Sequence, residues 1–167
     1  CYNRHMKIFV SPILRDLAQK LNTPLYVVGG YVRNYLIDNS VSDDIDLAGR
    51  IDEETLCSVL ESEGFTIHAV YKKMGTVKFS KGDVVCEYTR FRTEKYSAGG
   101  NHTPCEVEFT DDILMDALRR DFKCNAIYYD IDADKIVDPL FGVEDVEKKV
   151  LSSANDPETV FKSDGLR

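Results

Sequence analysis

Apolar and polar positions change rhythm several times along this chain, and each change marks an element. Ile13, Leu14, Leu17, Ala18 and Leu21 recur at helical spacing behind Ser11-Pro12, a capping hydroxyl followed by a proline suited to a first turn. This predicts an amphipathic helix that ends near Asn22. The apolar run Leu25-Tyr26-Val27-Val28 stops at Gly29-Gly30, and helical spacing resumes from Tyr31 to Leu36, which reads as strand, tight turn and helix. Asp44-Ile45-Asp46-Leu47, bounded by Ser42 and Gly49, is short enough for a strand. Residues 52–63 place Leu56, Val59 and Leu60 at helical spacing behind an acidic first turn, and Gly64 stops that helix.

From Thr66 to Arg92 the period shifts to alternation. Residues 75–80 and 83–92, on either side of Lys81-Gly82, form a predicted β-hairpin. Within its second strand Val85, Glu87, Thr89 and Phe91 share one face, and Val84, Cys86, Tyr88 and Arg90 share the other. The glycine-rich, polar stretch 94–105 predicts a mobile loop. Residues 111–118 predict a helix with Thr110 as N-cap. Residues 127–131 and 135–137 predict a second hairpin, 142–150 a short helix, and 156–167 the opening of a further element. No internal repeat is present, and adjacent strand pairs mixed with helices imply an α+β fold with a mixed, helix-covered sheet.

Composition narrows the chemistry. At 167 residues and 43% apolar, the chain has enough material for one substantial core. No apolar run is long enough to cross a bilayer and no secretory signal is visible. Five cysteines, an odd number without C-x-x-C spacing, suggest neither a zinc site nor a disulfide framework. A soluble, cytoplasmic protein with reduced thiols is expected. A formal net charge of −8 argues against a stand-alone nucleic-acid binder held by phosphate contacts, but not against an enzyme that gathers acids around a metal.

Candidate chemistry concentrates in residues 25–49. Two glycines let the backbone pass close to a ligand, and the helix behind them offers unpaired N–H groups to an anion. On a strand, Asp44 and Asp46 point the same way about 6.5 to 7 Å apart, while Ile45 and Leu47 supply the buried side. Such a pair suits one or two Mg²⁺ ions. Glu87, on a face with Val85 and Phe91, calls for a partner, with a rim salt bridge as the plain alternative. Arg119-Arg120-Asp121-Phe122 sets two guanidiniums beside an acid, so that one could take a triphosphate while Asp121 fixes the other. Asn125 adds an amide nearby. Taken alone, the same residues also fit an ordinary solvated charge cluster.

GGYVRN, SDDIDLAG, CEYTRFRTEKY and DALRRDFKCNAIYYD, in this order and spacing, resemble the class II CCA-adding tRNA nucleotidyltransferase and bacterial poly(A) polymerase family. The similarity runs from about Leu25 to Arg167. It implies a polymerase β-type nucleotidyltransferase head that uses Mg²⁺, ATP and CTP and acts on the 3′ end of tRNA or another RNA. By this resemblance Asp44 and Asp46 match the metal-binding aspartates and Glu87 a third catalytic carboxylate. Gly29, Gly30 and Arg33 match the triphosphate-cradling GGxVRD signature, and Arg120, Asp121 and Asn125 match the RRDFTxNA nucleotide motif. Asn34 and Lys123 depart from those signatures, and Asn101-His102-Thr103-Pro104 stands where the family often has an arginine-proline element. His102 is read as a loop residue and not as a metal ligand.

The resemblance further implies a head domain over residues 6–151 and the start of a helical neck over 152–167. The base-selecting neck and the RNA-gripping body and tail would lie outside the chain. Residues 1–5 are left out as an expression-tag remnant. Addition of AMP alone to RNA ends, or nucleotide binding without turnover, are the rival expectations.

Overall fold

The computed structural model describes residues 6–96, 104 and 106–155. Residues 1–5, most of the expected 94–105 loop with His102, and the part of the expected 152–167 neck from 156 onward lie outside the described residues. The first helix, α1 (Pro12–Lys20), opens as expected, with the Ser11 hydroxyl accepting from the Ile13 amide. Strand β1 (Leu25–Val28) passes through Gly29 into α2 (Gly30–Asp38), and β2 (Asp44–Gly49) and α3 (Glu53–Ser62) follow.

An edge strand that the alternation did not separate, β3 (Thr66–Tyr71), precedes β4 (Thr76–Lys81) and β5 (Val84–Arg90). A single 3-10 turn at Lys72–Met74 and a left-handed Gly75 reverse the chain between β3 and β4. The expected long second hairpin strand ends at Arg90, because Phe91 is fully buried between Tyr26 and Tyr128 in a second core cluster. Strand β6 (Arg92–Lys95) instead pairs with β7 (Glu106–Phe109) in a separate ribbon, so Glu94 and Lys95 belong to a strand and not to the loop. Helix α4 (Ile113–Leu118) is capped by Asp112, whose carboxylate accepts from the Leu114 amide; the expected cap, Thr110, bonds the Asp112 amide. Strands β8 (Tyr128–Asp130) and β9 (Lys135–Val137) and helix α5 (Gly142–Lys148) complete the described elements.

Seven strands form one mixed sheet in the order β3-β4-β5-β2-β1-β8-β9, in which β2 and β5 are parallel and the other neighbours antiparallel. Alternation along β1 shows how it is covered. Leu25 and Val27 enter the main core with α1, α2 and α3, while Tyr26 and Val28 enter the second cluster with Ala48, Phe91, Ala117 and Tyr128. On β2, Ile45 and Leu47 are buried in the main core, and Asp44, Asp46 and Ala48 point to the opposite face. That face is closed over Ala48 and open over the two aspartates. Among the described residues no helix is long and apolar enough to cross a membrane.

Candidate active site

The parallel pairing of β2 with β5 creates the acidic centre. Asp44 lies opposite Val85 and Asp46 opposite Glu87, so the three carboxylates share one sheet face. Residues 50–83 separate the two strands in sequence, and only the sheet register brings Glu87 to the two aspartates. The antiparallel pairing of β5 with β4 sets Lys78 opposite Glu87 on its other side, and Lys78 Nζ lies 3.1 Å from Glu87 Oε2. Glu87 thus has both the expected acidic neighbour and a cationic partner.

Asp46 is exposed at the open part of its sheet face, yet its pKa is raised. Crowding that strips water from the carboxylate contributes most, the negative charge of Glu87 next, and Asp44 adds to it against the pull of Arg120. A set of like charges gathered on a rigid sheet in this way favours a cation. The donors are hard carboxylate oxygens without thiolate or imidazole among the three, which fits Mg²⁺ or Mn²⁺ better than zinc. Among the described residues no three acid, histidine or cysteine groups stand close enough to grip an ion as they are, in keeping with Glu87 leaning on Lys78.

On the β1 side of Asp46 lies a second wall. Gly29 has φ 78° and ψ −142°, a conformation all but reserved for glycine, and a Cβ there would sit 3.5 Å from Asp46 Oδ2. The turn therefore brings bare backbone against the Asp46 carboxylate, and no side chain caps the first amides of α2. Gly29, Gly30, Asp46, Arg119, Arg120, Asp121 and Asn125 together line a cleft of about 260 Å³. Exposed amides, two guanidiniums and an amide side chain around a small open cleft are the donors that a polyphosphate requires.

Two sequence expectations are adjusted here. Asp121 holds neither arginine; its Oδ1 accepts from the Phe122 amide at 2.7 Å and from Asn125 Nδ2 at 3.1 Å. Arg33 reaches the cleft through a partner, with Nη1 donating to Asn125 Oδ1 at 2.6 Å and Nε to Asn34 Oδ1 at 3.0 Å. Asp121, Asn125 and Arg33 so form a chain that fixes the amide of Asn125, and Asn34 serves as an acceptor for Arg33.

The residue that holds the arginine pair was not singled out by sequence. Asp116, with no exposed surface, accepts from Arg119 Nε at 2.9 Å, Arg120 Nη2 at 3.1 Å, the Tyr128 hydroxyl at 2.6 Å and the Arg92 amide at 3.2 Å. Arg120 also donates to the Tyr128 hydroxyl at 3.0 Å and lies over its ring, while Arg119 and Arg92 meet the buried carboxylate of Glu94. Burial alone would raise the Asp116 pKa, but Arg120 and Arg119 outweigh it and hold the group below the ordinary carboxylate range. Three guanidiniums facing two carboxylates leave a positive excess beside the cleft. The signal was present as the i, i+3 and i, i+4 spacing of Asp116 to Arg119 and Arg120.

A family model described as the poly A polymerase head domain matches residues 25–152, which contain every one of these groups. The chain belongs to that family. Within it, the chain is 35% identical over 156 residues to a CCA-adding enzyme of Bacillus pumilus, covering 93% of this chain and 37% of the relative. A CCA-adding enzyme of Lactobacillus helveticus is 33% identical over 160 residues, covering 96% of this chain and 38% of the relative. Among solved structures, the Bacillus stearothermophilus CCA-adding enzyme in complex with CTP superposes with a TM-score of 0.76 at 26% identity, over 94% of this chain and 37% of that one. The chain thus spans little more than a third of the length of the relatives it matches. The mixed, helix-flanked sheet of a nucleotidyltransferase head is as expected.

Proposed function

We propose that this head domain transfers a nucleoside monophosphate from CTP or ATP to the 3′-hydroxyl of a tRNA, with release of pyrophosphate. The observation that carries the proposal is the place of Asp46, which faces Glu87 in register on one side and abuts Gly29 on the other. Acids able to hold a divalent metal therefore stand next to a wall able to hold phosphates. The relatives are CCA-adding enzymes and one was solved with CTP, which supports this substrate choice over addition of AMP alone.

In this reaction the 3′-oxygen bonds to the α-phosphorus, the bond to the bridging oxygen of the β-phosphate breaks, and the hydroxyl proton passes to solvent. Asp44, Asp46 and Glu87 would hold Mg²⁺, which when bound lowers the pKa of the attacking hydroxyl and neutralises the leaving pyrophosphate. The amides of α2's first turn and the Arg119–Arg120 pair orient the triphosphate, and Asp116 keeps that pair from swinging into solvent. Asn125, fixed between Asp121 and Arg33, presents a polar edge to the nucleotide. Positioning and charge stabilisation supply most of the acceleration in phosphoryl transfer, and such side chains supply both.

The test is to offer labelled CTP and ATP with Mg²⁺ to tRNA transcripts that end before CCA. Ordered addition of C, C and A is expected from the protein that carries this chain. A homopolymeric A-tail would replace this reading with poly(A) synthesis, and no incorporation by a folded sample would overturn transfer itself.

A further inference from the structure

Beyond β2 the face that bears the acids continues across β5 and β4 as an open cleft of about 600 Å³, lined by Asp44, Asp46, His68, Lys78, Val85 and Glu87 among others. Asp46 borders both this cleft and the smaller glycine-arginine cleft. Strand order places them on opposite sides of it, since Gly29 and Gly30 follow β1 and Arg119 to Asn125 precede β8, whereas Lys78 and Val85 belong to β4 and β5. In-line displacement at phosphorus requires the attacking oxygen and the leaving pyrophosphate to lie on opposite sides of the reacting atom. If the triphosphate lies on the β1 side, the hydroxyl must enter from the β5 side.

That second cleft has the chemistry for the end of an RNA strand. Val85 is 48% exposed although it stands on an interior strand of the sheet, so it offers an apolar floor for a ribose or base. His68 forms one wall, held by Ser80 Oγ 2.7 Å from its Nε2. Among the described residues that line the cleft, Lys78 is the one permanent cation. Its pairing with Glu87 leaves both side chains nearly half exposed, and an ion pair in that setting is weak enough to exchange partners.

We propose that Lys78 binds the terminal phosphodiester of the acceptor RNA, releasing Glu87 from its ion pair to face the metal-binding aspartates. This rests on the transfer reaction proposed above. It assigns Lys78 to the acceptor and not to the incoming nucleotide. The lysine therefore exchanges one anionic partner for another, and the same movement frees the third carboxylate as the acceptor arrives.

The assignment is tested in the protein that carries this chain, with Lys78→Ala and Lys78→Arg compared to wild type. The probe is a short single-stranded RNA with a free 3′-hydroxyl and a 5′ fluorophore, titrated in Mg²⁺ without nucleotide and followed by anisotropy. Lys78→Ala should weaken RNA binding about tenfold, as expected for loss of a charge-assisted hydrogen bond. It should also reduce the slope of log affinity against log salt by about 0.7, the value for one phosphate contact on a single strand. Lys78→Arg should restore most of both, and calorimetric affinity for Mg²⁺-CTP should not fall more than about twofold below wild type in either variant. A melting curve for each variant separates contact loss from misfolding. RNA affinity and salt slope unchanged in Lys78→Ala would overturn the assignment, as would a loss confined to Mg²⁺-CTP binding. Failure of wild type to incorporate nucleotide would overturn the reaction instead, so the two failures are distinct.

Discussion

Asp116 shows how one buried side chain can organise a site that it does not line. It carries its charge without contact with solvent because two guanidiniums, a phenol and a backbone amide surround it. Its folded pKa lies below the unfolded value, so the stability it contributes is fully present above the unfolded pKa and is lost as pH falls through the folded one. Asp116→Asn should cost about 3 kcal/mol at pH 7 by leaving buried arginine charge uncompensated. Melting temperatures measured from pH 7 downward should then show a shallower fall below about pH 4 in the variant than in wild type. At Gly29 the issue is backbone, since a Cβ would only touch Asp46 while the left-handed conformation would be strained. Gly29→Ala should lower stability by about 1 to 3 kcal/mol and depress nucleotide transfer more than that loss accounts for, as read from paired melts and rates. Gly29 and the Asp44–Asp46 pair were legible in sequence because turn chemistry and period-two alternation are local. Asp116 was not, because its role depends on Tyr128 and Arg92, which the fold brings from other elements.

At the scale of elements, the site depends on junctions more than on the elements themselves. The chain after α4 is pinned where Gly142, at the start of α5, meets the Lys123 carbonyl, and a Cβ at Gly142 would lie 2.1 Å from that oxygen. The buried Asp138 carboxylate fixes the same corner by accepting from the amides of Gly142 and Val143, each at 2.8 Å. Gly142→Ala should therefore push the 3-10 turn Lys123–Asn125 and destabilise the domain by about 3 kcal/mol or more, measurable by chemical denaturation. Most helices and hairpin strands were readable from periodicity, but their limits were not. Phe91 fits the alternation of β5 and leaves it only because a second core lies beneath it. Edge strand β3 turns into β4 through a 3-10 turn and shifts register between Ile67 and Ala69, and the ribbon of β6 and β7 pairs segments on either side of residues 96–105, none of which periodicity encodes.

The whole molecule joins a net negative charge to the proposed reaction among polyanions, and the sheet would resolve that conflict by separating the charges. Carboxylates cluster over β2 and β5, guanidiniums gather over β8 around Asp116, and Asp46 marks the boundary between them. Sequence motifs named nearly all of the residues that meet there, whereas the parallel register that joins Asp46 to Glu87 emerged only from the fold. The central claim is that this boundary is the catalytic centre of a nucleotide-transfer head, and substitution at Asp46 tests it most directly. Asp46→Asn removes a charge that its neighbours disfavour, so its metal-free melting temperature at pH 7 should equal or exceed that of wild type. Single-turnover incorporation of CMP into tRNA lacking CCA should meanwhile fall by at least about a hundredfold. Incorporation within a few-fold of wild type, in a variant that melts normally, would contradict the account.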